Sequence, residues 1–143
     1  MELRDDDGST MPLVAGFGAL ALALVLVAAA ASSLYLERKQ LFTLADGAAL
    51  VGAEAFDLAD VSVANGRPEA LLEPADVQRD VAAFLAGTPH GGFEGLVLEE
   101  ATTRDGETAT VTLSAIWRPP IVTVFFPEGI RIETTATARS VFE

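Results

Sequence analysis

The stretch MPLVAGFGALALALVLVAAAASSLYL, residues 11–36, decides the fold of this chain. It contains no charged side chain along its whole length. An α-helix needs about 20 apolar residues to cross a hydrocarbon core about 30 Å thick, and this stretch is longer than that. We therefore predict a transmembrane helix over residues 11–36, preceded by a polar leader over residues 1–10.

The helical pattern continues beyond the apolar stretch. After the charged collar of residues 37–39, apolar and small side chains recur at helical spacing as far as Ala59. The residues that we expect to form a helix-packing face are Leu41, Ala45, Ala48, Ala49, Gly52, Ala53 and Phe56. The polar residues Lys39, Asp46 and Asp57 lie on roughly the opposite face. Residues 37–59 are therefore predicted to continue the same helix as an amphipathic segment.

Within the apolar stretch, small residues recur at Gly16, Ala19 and Ala23. Spacings of three and four place them on one stripe of a helix, where a second helix can approach closely. The alternative is that glycine and alanine are simply frequent in this chain. Both interpretations remain open from the sequence.

Composition and charge exclude several classes of function. The formal net charge is −12, and a phosphate-binding surface needs clustered Lys and Arg that this chain lacks, so no nucleic-acid partner is expected. The absence of cysteine excludes thiolate catalysis and cysteine metal sites. His90, the only histidine, stands in a glycine-rich loop without a second ligand at metal-binding spacing. We therefore expect neither an enzyme nor a cofactor.

The remaining residues, 60–143, are predicted to form one small α+β head. Residues 60–73 carry turn signals and are expected to form a loop, and residues 74–86 have the pattern of an amphipathic helix with Gly87 as its C-cap. Strands are predicted over residues 96–101, 108–117 and 130–142, with an Asp105-Gly106 hairpin turn between the first two. An antiparallel sheet results, with one polar face and one apolar face covered by both helices.

The segment 121–129, IVTVFFPEG, connects the last two predicted strands. Its β-propensity is interrupted by a proline and a glycine, and it holds the apolar pair Phe125 and Phe126. That pair is either part of the core or an exposed apolar tip for a partner or the bilayer surface.

The amino-terminal third resembles the TadE/TadG-like proteins of the Tad (tight adherence, Flp-type) pilus system. The resemblance rests on a Gly-Ser leader, an apolar span, an aromatic and basic collar and an Ala-Asp-x-Ala-Ala-Leu helix. The matching residues are Gly8, Ser9, Tyr35, Arg38, Ala45, Asp46, Ala48, Ala49 and Leu50. The resemblance implies a membrane-anchored, pilin-like component of a fibre-assembly machine. Its partners would be the bilayer, other Tad pilus or secretion components, and further subunits bound through the amino-terminal helix.

Topology and processing are also implied by the resemblance. It places the amino terminus in the cytoplasm and the head outside the cell, although the basic residues Arg38 and Lys39 taken alone would slightly favour the reverse. Members cut by a prepilin peptidase carry a glutamate about five residues after the cleaved glycine. Here the position that corresponds, counted from Gly8, is Leu13, so both cleavage between Gly8 and Ser9 and retention of the leader remain open.

One polar residue of the helix stands out. Asp46 could form an ion pair with Arg38 or Lys39 of a neighbouring subunit, or it could simply be a solvated residue of the polar face.

Two other functions remain open. The chain could be a single-pass membrane protein whose acidic head binds a ligand or an envelope partner without any fibre. It could also be a secreted protein released at the alanine run of residues 27–33, with a mature amino terminus near Ser32.

Overall fold

A computed structural model describes residues 10–56, 61–64 and 67–140. The elements along these residues are α1 (Met11–Ala53), β1 (Val61–Ala64), β2 (Arg67–Ala70), α2 (Pro74–Gly87), β3 (Glu94–Thr103), β4 (Thr108–Trp117), α3 (Pro120–Thr123) and β5 (Ile130–Arg139). Strands β3, β4 and β5 form an antiparallel sheet with β4 in the middle. The predicted α+β fold class is confirmed.

The helix α1 is continuous across the predicted boundary between apolar and amphipathic halves. It begins with a proline in its first turn, where the missing N–H costs nothing. It ends at Ala53, earlier than the Ala59 that the periodicity predicts, and residues 57–59 lie outside the described part. The last turn tightens because the N–H of Glu54 donates to the carbonyl of Val51 at 3.1 Å, a bond that satisfies a terminal carbonyl.

The second helix agrees with its predicted span. Its buried face consists of Val77, Val81 and Leu85, which repeat every four residues. Gly87 is the last helical residue and not the C-cap. Thr88 takes that position, and its N–H donates to the carbonyl of Phe84 at 2.9 Å.

The central strand β4 carries the alternation that the sequence predicts. Its inward side chains, all buried, are Ala109, Val111, Leu113, Ala115 and Trp117. Strand β3 is longer than predicted at both ends, and β5 ends at Arg139, with residue 142 outside the described part. Between β3 and β4, Gly106 has φ +72° and the Asp105 carboxylate accepts the backbone N–H groups of Glu107 and Thr108 at 2.9 and 2.7 Å.

Two segments differ from the sequence prediction. Residues 60–73 were expected to be a loop, but β1 and β2 pair as an antiparallel hairpin, with Val61 opposite Ala70 and Ala64 opposite Arg67. Four-residue strands are too short for a reliable alternation, which explains the error; the predicted Asn65-Gly66 turn lies outside the described residues. The segment after Pro119 begins with the short helix α3, because Pro120 is well suited to a first helical position.

The outer half of α1 runs antiparallel to β4 along the apolar face of the sheet. Gly52 faces Ala109 near the start of β4, and Ser33 meets Trp117 at its end. Helix α2 packs beside α1 on the same face, where Val77 and Val81 lie against Gly52. As predicted, both helices cover the apolar face of the sheet.

Candidate membrane anchor and assembly surfaces

The first half of α1 projects from the head with its side chains exposed. Every residue from 11 to 29 is exposed, and Ala30 is the first that packs against the core. Within the described residues, α1 is the one helix long and apolar enough to cross a membrane. Residues 11–29 rise about 28 Å at about 1.5 Å per residue, which matches a hydrocarbon core of about 30 Å.

The small-residue stripe of this half is open surface. Gly16, Ala19 and Ala23 are all exposed, and a Cβ built on Gly16 would have no described atom within 4 Å outside its own helix. The chain's own head leaves the stripe uncovered. Its predicted role in packing against another helix stays a prediction.

The alanine face of the outer half is occupied by the chain itself. Ala45, Ala48, Ala49, Gly52 and Ala53 are buried, and Phe56 is half-buried against the same core. The sequence predicts a helix-packing face here and leaves open whether its partner is the chain's own head or another subunit. Because α2 and the sheet already cover it, the face stabilises the head and is not free for a neighbouring chain.

Gly52 shows how close this packing is. A Cβ at that position would lie 3.1 Å from Val77 Cγ1 and 3.2 Å from both Ala109 Cβ and Val81 Cγ2. Gly47, one and a half turns earlier, is less crowded, since its Cβ would meet the Phe84 ring at 3.5 Å. The small residues of this helix therefore allow α2 and β4 to approach its backbone.

The residues proposed for an ion pair between subunits lie on the surface. Arg38, Lys39 and Asp46 are exposed. The salt bridges found among the described residues join other groups of the head, such as Arg118 with Glu94 at 2.9 Å. Pairing of Asp46 with a neighbouring subunit stays a prediction.

The segment between β4 and β5 lies at the end of the head that is nearest the exposed half of α1. Val124, Phe125 and Phe126 are 75%, 76% and 58% exposed, so the pair of phenylalanines is not core. The segment is nevertheless structured. The N–H groups of Phe125 and Phe126 both donate to the carbonyl of Val122, at 3.0 and 2.7 Å.

The base of this segment is closed by Arg118 and Gly129. The Arg118 guanidinium donates to the Glu128 carbonyl at 3.2 Å while it pairs with Glu94. Gly129 has φ +74°, and a Cβ there would lie 2.8 Å from the Trp117 carbonyl oxygen. Only glycine fits this position without strain.

The polar face of the sheet carries a network that the sequence did not reveal. The buried Ser114 hydroxyl donates to Glu99 and accepts from Arg131 at 2.6 Å. A shallow groove on this face is lined by Glu99, Glu100, Arg104, Thr110, Thr112, Glu133 and Thr135. The three partners of the network come from three strands, so only strand register could have brought them together.

Among the described residues no group of three or more histidine, cysteine or acidic side chains is placed to hold a metal ion. Asp105 has a pKa lowered to about 2, because it accepts hydrogen bonds from the N–H groups of Glu107 and Thr108 and from the Thr108 hydroxyl. That carboxylate organises a hairpin turn. His90 is partly exposed and lies in the predicted loop.

Comparison with known families gives a match over the amino-terminal third of the chain. Residues 8–55 match the model of the Tad family, described as "Putative Flp pilus-assembly TadE/G-like". This segment is similar to TadE/G-like proteins. The predicted resemblance is confirmed, and the match together with the apolar helix supports a Tad pilus-associated protein. Neither a curated protein nor a solved structure matches the chain.

The bounds of the TadE/G-like segment follow the bounds of helix α1. It spans the whole of α1, from before the apolar half to just beyond the buried alanine face. Gly8 and Ser9, the proposed processing site, fall inside the match but outside the described residues. The α2–sheet part of the head lies beyond the match.

Proposed function

We propose that this protein is a membrane-anchored structural or assembly component of a Tad/Flp-type pilus. Residues 11–29 span the membrane, the amino terminus is cytoplasmic, and the head stands on the outer face. The protein acts by lateral contacts rather than by catalysis. The observation that carries this proposal is that one continuous TadE/G-like helix has two halves with different environments: residues 11–29 are exposed and apolar, whereas the outer half buries one face against its own head.

The division of α1 limits where other subunits bind. The alanine face is filled by α2 and the sheet, so contacts to other subunits in the membrane fall to the exposed half, with Gly16, Ala19 and Ala23 as the close-approach stripe. Outside the membrane the available surfaces are the polar face of the sheet and the exposed side of α1 with Arg38, Lys39 and Asp46. In this pilin-like arrangement the helix makes the contacts between subunits, and the head is displayed on the outside.

The experiment that tests this function is intact-mass analysis with amino-terminal sequencing. The protein is recovered from native membranes and from sheared surface material of cells with and without the other pilus components. An intact Met1 form in membranes identifies a retained anchor or assembly factor. A Ser9 start in the sheared fraction identifies a fibre subunit. A start near Ser32 in the medium contradicts both, because the anchor half of α1 would have been removed.

A second candidate is favoured by the groove on the polar face of the sheet. The groove is open and lined mainly by acidic and threonine side chains, which suits a cationic or hydroxylated envelope partner. In that case the head would bind its partner without a fibre. Deletion of the gene separates the two functions, since loss of surface pili is expected only from a pilus component.

A further inference from the structure

We propose that residues 124–126, here called the tip, insert into the headgroup region of the same bilayer that α1 crosses, and so fix the head against the membrane. This inference rests on the proposed membrane span. It assigns a lipid-interface role to Val124, Phe125 and Phe126.

The first argument is the height of the tip along α1. The exposed apolar half of the helix ends at residue 29, and its calculated rise of about 28 Å fills the hydrocarbon core. Ser33, one turn further on, meets Trp117 at the end of β4. The segment from residue 118 to 129 continues past the ends of β4 and β5, on the side of the head that faces the bilayer. The tip is therefore at the level of the headgroups.

The second argument is chemical. Three consecutive apolar side chains are 58–76% exposed, although folding normally hides such groups. Tyr35, 67% exposed, lies on α1 within one turn of Ser33 and therefore at about the same level. Trp and Tyr are enriched at the membrane–water interface, and phenylalanine side chains of interfacial segments are buried at the boundary between headgroups and acyl chains.

The third argument is that the tip is built to hold its shape. The Val122 carbonyl accepts hydrogen bonds from its backbone, and the Arg118–Glu94 ion pair holds its base. Gly129 ends the segment with a positive φ, which glycine adopts without strain. Val122 itself packs against the core beside α1. A rigid loop loses little conformational entropy when it inserts, so its apolar burial is available for membrane attachment.

The absence of cysteine makes the test direct, because any single introduced cysteine is the only labelling site. Full-length protein with Phe125→Cys is labelled with an environment-sensitive fluorophore and placed at one copy per phosphatidylcholine nanodisc. Quenching by nitroxides at shallow and deep lipid positions gives the depth of the label. Leu22→Cys in the span and Arg104→Cys in the distal hairpin are the lipid and water references.

We expect the label at residue 125 to be quenched severalfold more by shallow-nitroxide lipid than the label at residue 104. In a second variant the label is moved to Val124→Cys and both phenylalanines are changed, Phe125→Ser and Phe126→Ser. Quenching of this label should fall to the value of the aqueous reference. Trp117 fluorescence should be unchanged, which shows that the head is still folded. Lipid quenching at residue 22 but not at residue 125 overturns the tip and leaves the span intact. An aqueous label at residue 22 overturns the proposed function itself. An apolar emission of the label at residue 125 that appears only in discs holding several copies assigns the tip to a neighbouring copy and overturns the bilayer contact.

Discussion

The indole N–H of Trp117 donates a hydrogen bond to the hydroxyl of Ser33, with 3.3 Å between nitrogen and oxygen. The two residues are 84 positions apart in sequence, and their contact fixes the end of the central strand against α1 one turn beyond the exposed residues 11–29. It therefore marks the boundary between the part of the helix that the head covers and the part that it leaves exposed.

Removal of the Trp117 side chain should detach this end of the sheet from the helix. Trp117 is 7% exposed, so Trp117→Ala is expected to lower the free energy of unfolding of the head by about 3–5 kcal/mol. Ser33→Ala removes only the hydrogen bond and should cost about 0.5–1.5 kcal/mol. Chemical denaturation in detergent, followed by circular dichroism, measures both. Equal costs for the two variants would contradict the assignment of packing to the indole ring.

Enlargement of Gly52 should disrupt the packing between α1, α2 and β4. A valine there would force the neighbouring Val77 and Ala109 side chains apart, and overpacking of this kind typically costs about 1–3 kcal/mol. Gly47→Ala is the matched control. Its Cβ has ordinary contact distances, so the gain in helix propensity should leave stability unchanged or raise it by up to about 1 kcal/mol. A stable Gly52→Val head would show that α2 is not seated on this face.

The span stripe should control association in the membrane without affecting the head. Ala19→Leu places a large side chain on the stripe, whereas Ala21→Leu makes the same change on roughly the opposite side of the helix. Ala19→Leu is expected to weaken energy transfer between labelled copies severalfold in proteoliposomes, and Ala21→Leu to leave it unchanged. Both variants should unfold like the parent head. Equal losses from the two substitutions would argue against a defined stripe.

The Asp105 turn predicts an acid dependence of stability. The pKa of this carboxyl is lowered from 3.8 to about 2 in the folded chain, because the folded hairpin stabilises the ionised carboxylate. The stabilisation is complete above pH 4 and disappears as the pH falls through about 2. Asp105→Ala should lower the melting temperature of the head by a few degrees at neutral pH, with the difference from the parent chain lost near pH 2. A constant difference across this range would rule out the carboxylate as its cause.

The sequence predicted elements whose signal is local and repeated. The apolar run that begins at Met11 and the alternation from Ala109 to Trp117 each gave an element with the observed type and nearly the observed bounds. Helix α2 was found because Val77, Val81 and Leu85 repeat over several turns. The hairpin of β1 and β2 was missed because four-residue strands provide almost no periodicity.

The site was less predictable because partners are not encoded in periodicity. The pattern of Ala45 and Ala49 showed that one face of α1 is packed, but not whether its partner is α2 or another subunit. Ser114 lies on the polar side of β4, and its link to Glu99 and Arg131 depends on the register of two neighbouring strands. Exposure of Phe125 and Phe126 depends on how the segment after Pro119 turns, which composition alone left open.

The measurement that tests the central claim most directly is a map of cysteine accessibility in native membranes. Single cysteines are placed at Leu22 in the exposed half of α1 and at Thr137 on the outer face of β5, and intact cells are treated with a membrane-impermeant maleimide. Labelling is expected at residue 137 in intact cells, and residue 22 should stay protected until the membrane is dissolved. Labelling of residue 22 in intact cells, or of residue 137 only after lysis, would contradict a span over residues 11–29 with the head outside.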